Sequence, residues 1–361
     1  MHFFSYIIIG VFMKQFKVIF AIIATLIGAG FASGQEINKF FYIYGIKGIS
    51  GLAVCCIFFA IIIYKVFVIT NCYNIESYKD LVKLLFETHS IIVNIIVNLF
   101  LLITFFIMVA GFGAFFSQEI GISKYVGSGV LACLCFCTFV TNTDSVLKVS
   151  SLLVPLLILF IVLIGFINLN SIDTSFVLSM LKNLNVKSYS WLLSCILYVS
   201  YNSILLIPVL ITLGKHVNSK SSILVVAIFS SLILFILAIS IFLMLTKVNV
   251  SLNGLEMPIL YIIRHFYKSF MHIYAFVILS SIYTTAISIG MSFIDNITTT
   301  IKTSYSLIVL IMCITSFGIS GFGFSNLVAN LYPFFGYLGI VQIWLLLKIH
   351  PQKDELSKGT G

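Results

Sequence analysis

Residues Ile27 to Glu36 read IGAGFASGQE, inside the first long apolar run of a 361-residue chain. Three glycines, a serine, a glutamine and a carboxylate are the wrong chemistry for an inert membrane anchor. Glycine leaves helical angles cheaply, and a helix broken at membrane depth exposes amides and carbonyls that protein, water or a ligand must satisfy. Gly28, Ala29, Gly30, Phe31, Ala32 and Ser33 would then offer amide donors to a solute carboxylate and carbonyls to a cation. The alternative is close helix packing through small residues. A second polar interruption, Tyr201-Asn202-Ser203, suits either an opposing lobe of the same site or an asparagine bonded to a neighbouring helix. Glu36 is a carboxylate attached to the first motif: it can hold a gate, bind a substrate amine or carry a proton, or simply be solvated near the outer surface. Ser281, Thr284 and Thr285 share one helix face by their three- and four-residue spacing. Such hydroxyls either ligate a hard cation through oxygen or bond back to their own backbone.

The elements that must position these residues are membrane helices. Hydrophobic residues make up 61% of the chain and charged ones 9%, with a mean hydropathy of +1.18, which excludes an ordinary soluble domain. Polar punctuation divides the chain into ten spans, near 17–45, 48–70, 91–117, 124–141, 146–169, 189–213, 221–246, 270–296, 304–322 and 326–348. Continuous apolar runs, with no alternating segments, make this an all-α membrane protein. With the amino terminus inside, twelve basic residues fall in cytoplasmic loops and eight outside, so both termini are expected in the cytoplasm. The net charge of +9 is scattered among those loops and forms no nucleic-acid stripe. Cys133, Cys135 and Cys137 alternate at a spacing that spreads thiols around a helix, so no metal site is expected there. Residues 1–12 read as an amino-terminal extension ahead of Met13-Lys14. Tyr73 to His89 reads as an amphipathic cytoplasmic helix and Leu252 to Lys268 as a helical outer lid, unless both are ordinary packed connectors.

Two landmarks recur at nearly one offset. Pro155 and Pro333 are 178 residues apart, and the Gly28 and Tyr201 interruptions are 173 apart. Five spans per half force the second half to enter the membrane in the opposite sense, which is an inverted-topology repeat, with 13–170 and 171–348 as its halves and 349–361 as a cytoplasmic tail. Spans one and six are then the discontinuous helices, meeting at the bilayer midplane.

The IGAGFASGQE motif, with Val199-Ser200-Tyr201-Asn202, Tyr283-Thr284-Thr285-Ala286, Gly321-Phe322-Gly323-Phe324-Ser325 and Leu331-Tyr332-Pro333, resembles the YkvI-like family of bacterial membrane proteins. Its members look like the amino acid, polyamine and organocation transporter superfamily. The resemblance covers the chain from Met13 on. It implies the LeuT-like fold, a 5+5 inverted repeat with broken helices one and six around a small-solute site. It also implies a sodium site in which Ser281, Thr284 and Thr285 join the carbonyls of Ala24 and Ile27. Proton-driven relatives place a basic residue in helix five near this point, whereas Lys148 lies at the cytoplasmic start of that span, which favours sodium.

The function expected is secondary transport of a small polar solute, an amino acid or related compound, coupled to sodium or proton, with no covalent chemistry and no other cofactor. The alternative is a nutrient-sensing receptor of the spore-germination type that keeps the transporter fold; a carboxyl tail of about a dozen residues and no signalling domain favour transport. Expected partners are the solute and the lipid bilayer. Low arginine with abundant isoleucine, asparagine, lysine and phenylalanine points to an AT-rich genome and a bacterial plasma membrane. Solute, direction and oligomeric state are not encoded in any motif.

Overall fold

The computed structural model describes residues 2–141, 143–169, 190–247, 257–298, 304–319 and 324–349. The expected half boundary at 170/171, the Gly321 to Gly323 part of the glycine motif, the Leu252 to Glu256 part of the lid and the tail after 349 lie outside them. Among the described residues the secondary structure is entirely helical. In chain order the helices are α1 (His2–Leu26), α2 (Ala29–Ala32), α3 (Gln35–Phe40), α4 (Ile46–Cys72), α5 (Tyr78–Phe86), α6 (Ser90–Phe115) and α7 (Lys124–Thr141). They continue as α8 (Thr143–Leu169), α9 (Ser190–Leu213), α10 (Lys220–Leu245), α11 (Pro258–Phe266), α12 (Met271–Thr298), α13 (Tyr305–Ile319) and α14 (Phe324–Lys348). Seven helical stretches among the described residues are long and apolar enough to cross a membrane. Large apolar side chains on their outer faces, such as Ile91, Leu152 and Phe166, are at least 65% exposed, as a lipid-facing surface requires.

Two spans are enclosed far more than the rest. In α9 and α12, 89% of the most apolar stretch is buried, against 33 to 56% in the other five. With α1, which packs on α8, α9, α10 and α12, they form the centre of the bundle. The first span is interrupted there: α1 stops at Leu26, Gly28 is extended (φ −86°, ψ −167°), and the chain resumes as the one-turn α2. Gly34 then takes a left-handed conformation (φ 79°), and a Cβ there would sit 2.5 Å from Ile259 Cγ1, so only glycine fits.

The sixth span corrects the sequence reading. α9 runs unbroken from Ser190 to Leu213, and Tyr201, Asn202 and Ser203 are ordinary helical residues. The physical reason is local. Asn202 Nδ2 donates to the Tyr198 carbonyl at 2.9 Å and Ser203 Oγ to the Val199 carbonyl at 2.6 Å, so their polar groups are satisfied one turn back without leaving the helix.

Both expected connectors contain helices. α5 opens with a capping box, Ser77 Oγ accepting from the Asp80 amide while the Asp80 carboxylate accepts from Ser77, and it buries Tyr78, Leu81, Val82 and Leu85. α11 starts with Pro258 in its first turn and buries Ile259, Leu260, Ile262 and Ile263. The salt bridge Arg264–Glu119 (3.6 Å) links it to the chain beyond α6.

α9 and α14 approach closely through a glycine. A Cβ on Gly339 would lie 2.3 Å from the Ser200 carbonyl oxygen, with backbone on one side and no flexible atom to yield. Gly339→Ala should therefore force the two helices apart and lower stability by about 1–3 kcal/mol, the usual cost of overpacking. A lower melting temperature of the purified variant is the expected reading; an unchanged one would mean that the helices separate freely.

Candidate functional site

The break at Ile27 and Gly28 exposes the last carbonyls of α1, and most of the backbone oxygens around it have named partners. The final backbone bond of the first half is Ile27 N–H to the Ile23 carbonyl, 2.9 Å. Beyond it, Thr285 Oγ reaches the carbonyl oxygens of Ala24 at 2.6 Å and Ile27 at 3.0 Å. Tyr274, on the same helix α12, donates its hydroxyl to the Ala32 carbonyl at 2.7 Å. The Ile259 amide of α11 donates to the Ser33 carbonyl at 2.9 Å, and Ser33 Oγ to that of Gly30 at 3.2 Å. A Cβ on Gly28 would lie 3.3 Å from both Met108 Sδ of α6 and Thr285 Cγ2, so the broken turn is clamped between α6 and α12.

The Thr285 contact has a proton deficit. A hydroxyl carries one O–H, yet two carbonyl oxygens lie within hydrogen-bond distance of it. Three oxygens from two helices thus converge on one proton, the kind of all-oxygen donor set a hard cation satisfies better than a single hydrogen. Ser281 and Thr284 do not join this cluster through their hydroxyls. Ser281 Oγ donates to the Ile278 carbonyl (2.8 Å) and Thr284 Oγ to the Ser281 carbonyl (3.2 Å), each within α12.

Glu36 forms the second centre. It is 4% exposed in α3, and its Oε2 accepts the Tyr201 hydroxyl at 2.7 Å. Its carboxylate folds back over the broken turn: a Cβ on Gly30 would fall 2.2 Å from Glu36 Oε1. The surface-solvation reading of Glu36 is therefore wrong, because α3 turns inward after Gly34 and carries the side chain to the face of α9. Aromatic rings enclose it. Tyr201 stacks on Tyr332 (centroids 4.7 Å, 25°), Tyr198 meets Tyr201 edge-on at 5.5 Å, and Phe40 lies 5.6 Å from the Tyr201 ring. Among the described residues the one ion pair within 4 Å is Arg264–Glu119, so no lysine or arginine neutralises Glu36 in that range.

The structure thus gathers Ala24, Ile27, Gly28 and Thr285 at one centre and Gly30, Glu36 and Tyr201 at the other, with Ala29, Phe31, Ala32 and Ser33 between them on the broken turn. Among the described residues, Asn202 and Ser203 bond to their own helix alone. Sequence reasoning missed Tyr274, Met108 and Tyr332. Tyr274 had a signal, since it lies seven residues, about two turns, before Ser281 on the same face of α12. Tyr332 stands in the Leu331-Tyr332-Pro333 motif, but nothing there signals its contact with Tyr201, which is made across helices. Asn296 Nδ2 donates to the side-chain oxygens of Asn94 and Asn98 at 3.1 and 2.9 Å, tying α6 to α12.

No family model matches the chain. Two proteins of Bacillus subtilis (strain 168) are similar over almost all of it. The uncharacterized membrane protein YkvI is 27% identical over 344 residues, 93% of this chain and 96% of its own length. The uncharacterized protein YyaD is 27% identical over 332 residues, 90% and 94% of the two chains. Among solved structures, the substrate-bound outward-open state of a sodium-coupled sialic acid symporter aligns with TM-score 0.65 at 13% identity, covering 92% of this chain and 78% of the other. MhsT in complex with L-phenylalanine aligns with TM-score 0.68 at 14% identity, covering 95% and 91%. A manganese transporter of Eremococcus coleocola gives 0.60 at 11% identity, covering 96% and 90%. The chain is thus a multi-pass membrane protein that resembles the YkvI-like proteins along nearly its whole length and has the LeuT-like fold of those transporters.

Proposed function

We propose that the chain is a secondary transporter that carries a small amphoteric solute, an amino acid or a related amine, by alternating access coupled to sodium. The observation that carries this reading is the convergence of Thr285 Oγ with the Ala24 and Ile27 carbonyls at the break in the first span. An interrupted helix at the centre of a bundle, with backbone oxygens turned toward a hydroxyl of a second helix, is how such folds hold a coupling cation. Ser281 and Thr284 complete that set by reorienting when the ion enters. The solute lies on the other side of the broken turn. Its ammonium group pairs with Glu36 within the Tyr198, Tyr201 and Tyr332 rings, whose faces favour a cation, and its carboxylate meets the amides at the start of α2. The inverted repeat of two five-helix halves belongs to this reading, with the difference that its sixth helix is unbroken at Tyr201, Asn202 and Ser203 and contributes through the Tyr201 side chain. The neighbours carry sialic acid, hold L-phenylalanine or move manganese, so the fold alone leaves the solute open.

The test is a thermal-stability screen of the purified full chain against amino acids and biogenic amines, in sodium and then with potassium as the only cation. One solute that raises the melting temperature in sodium alone, and is then taken up by potassium-loaded proteoliposomes only when sodium is supplied outside, is the expected result. A well-folded sample that no solute shifts under either cation would overturn the reading.

A further inference from the structure

The helix that supplies Thr285 carries further polar groups along the same side, and they end in a cavity. Taking 100° per residue, Thr285, Ser288, Ser292 and Asp295 fall within about an 80° arc of α12, and the ten residues from Thr285 to Asp295 span about 15 Å. Ser288 and Ser292 divide that length into steps of about 4 to 6 Å at 1.5 Å per residue. Ser292 and Asp295 line a cavity of about 760 Å³ between the ends of α4, α9 and α12, with Asn71, Thr212 and Lys215 on its other walls. Ser288 lines neither the cavity nor the cluster at Thr285. It is 3% exposed, and among the described residues its hydroxyl has no hydrogen-bond partner. A buried hydroxyl in that state is costly unless a ligand or water visits it. Most buried hydroxyls of this helix are not in that state: those of Ser281, Thr284, Thr285 and Ser292 all reach backbone carbonyls.

We propose that Ser288, Ser292 and Asp295 form the exit route by which a cation held at Thr285 reaches the 760 Å³ cavity, Ser288 being the intermediate resting point and Asp295 the receiving charge. This rests on the reading of Thr285 as a cation site and adds to it the path, its order and its end. A bare ion cannot cross about 15 Å of apolar packing, because an unsolvated charge is strongly disfavoured at every position along it. Oxygens at steps of about 4 to 6 Å let water and side chains replace its shell in stages. Asp295 draws the cation outward into the wet cavity, where Lys215 opposes a long stay.

The route is tested on the purified full chain with Ser288→Cys and Ser292→Cys, made separately and labelled with a small cationic methanethiosulfonate. The label is assigned by peptide mass spectrometry, so the eight native cysteines can remain. Both introduced thiols should react, and a sodium ion held at Thr285, three residues away on the same side of α12, should slow the cationic reagent at position 288 severalfold compared with potassium, by charge repulsion. In the Asp295→Asn background the cationic reagent should slow severalfold at both positions while a neutral reagent of similar size does not. Labelling at 292 without labelling at 288 overturns the route, since the path is then closed above the cavity. Equal labelling at 288 in sodium and potassium, in a protein that sodium still stabilises through Thr285, also overturns it and leaves the cation site standing. If sodium gives no thermal shift to the wild-type chain, the cation site fails and the route falls with it, a result distinct from the other two.

Discussion

Glu36→Gln is expected to weaken solute binding by about 10- to 100-fold while leaving the empty protein as stable as before or more so. The reasoning turns on what glutamine keeps. It has nearly the same shape and can still accept the Tyr201 hydroxyl, now made at 2.7 Å. What it loses is the negative charge, and with it a charge-assisted bond to a solute ammonium, worth about 1.5–3 kcal/mol. A buried carboxylate without a cation within 4 Å is a burden on the folded state, so neutralising it should not lower the melting temperature measured without solute. These signs separate the roles. A residue serving only structure would lose stability and leave the solute shift proportionally intact; a Glu36→Gln variant that still responds to solute at wild-type concentrations would remove Glu36 from the site. Gly30→Ala should mimic the binding loss with the carboxylate still present, because its Cβ would fall 2.2 Å from Glu36 Oε1 and displace it from Tyr201.

The second large effect is expected at Thr285. Thr285→Val preserves the branched shape against Gly28 but deletes the hydroxyl that reaches Ala24 and Ile27 at 2.6 and 3.0 Å. In potassium the variant should lose a modest amount, about 1–2 kcal/mol, for carbonyls left without their donor. In sodium it should lose that and also the whole sodium-dependent rise in melting temperature, with apparent sodium affinity down at least tenfold. Thr285→Ser should restore most of both. Equal destabilisation in the two salts would make Thr285 a clip between α1 and α12 and nothing more.

The first-span break was legible because the motif holds its cause: Gly34 takes a left-handed conformation, and Gly28 leaves room for the close approach of Met108 and Thr285. The helix bounds were legible for a similar reason. Lys124–Thr141 coincides with the expected fourth span, and Ser190–Leu213 differs from the sixth by one residue. The state of the sixth span was not legible. Tyr201-Asn202-Ser203 has the composition of a break, but whether a polar side chain opens a helix or bonds back one turn depends on what surrounds it, and here both Asn202 and Ser203 bond back. Thr285 and Glu36 were visible as residue types at sensible spacing. That Thr285 alone, and neither Ser281 nor Thr284, turns its hydroxyl to α1 is decided by the rotation of α12 against its neighbours. The ring assembly joins Tyr198 and Tyr201, three residues apart on α9, to Tyr332, more than a hundred positions away, and no local pattern announces that second contact.

The unequal backbones of the first and sixth spans bear on how the protein can move. α9 is one continuous helix, interrupted in its backbone bonding by Pro208, and its fit against α14 at Gly339 and Gly336, where Cβ atoms would meet the Ser200 and Leu197 carbonyls at 2.3 and 3.1 Å, makes the two travel as one body. α1 is a lever with its fulcrum at Gly28, and Gln15 Nε2 pins its far arm to Ser222 of α10 at 2.7 Å. Motion that opens one side of the bundle is therefore taken up asymmetrically, by bending in the first half and by rigid displacement in the second. The latch at Gln15 is a single neutral hydrogen bond, worth about 1 kcal/mol, so it is the buried apolar face of Val18, Ile22 and Ile23 that holds the arm in place.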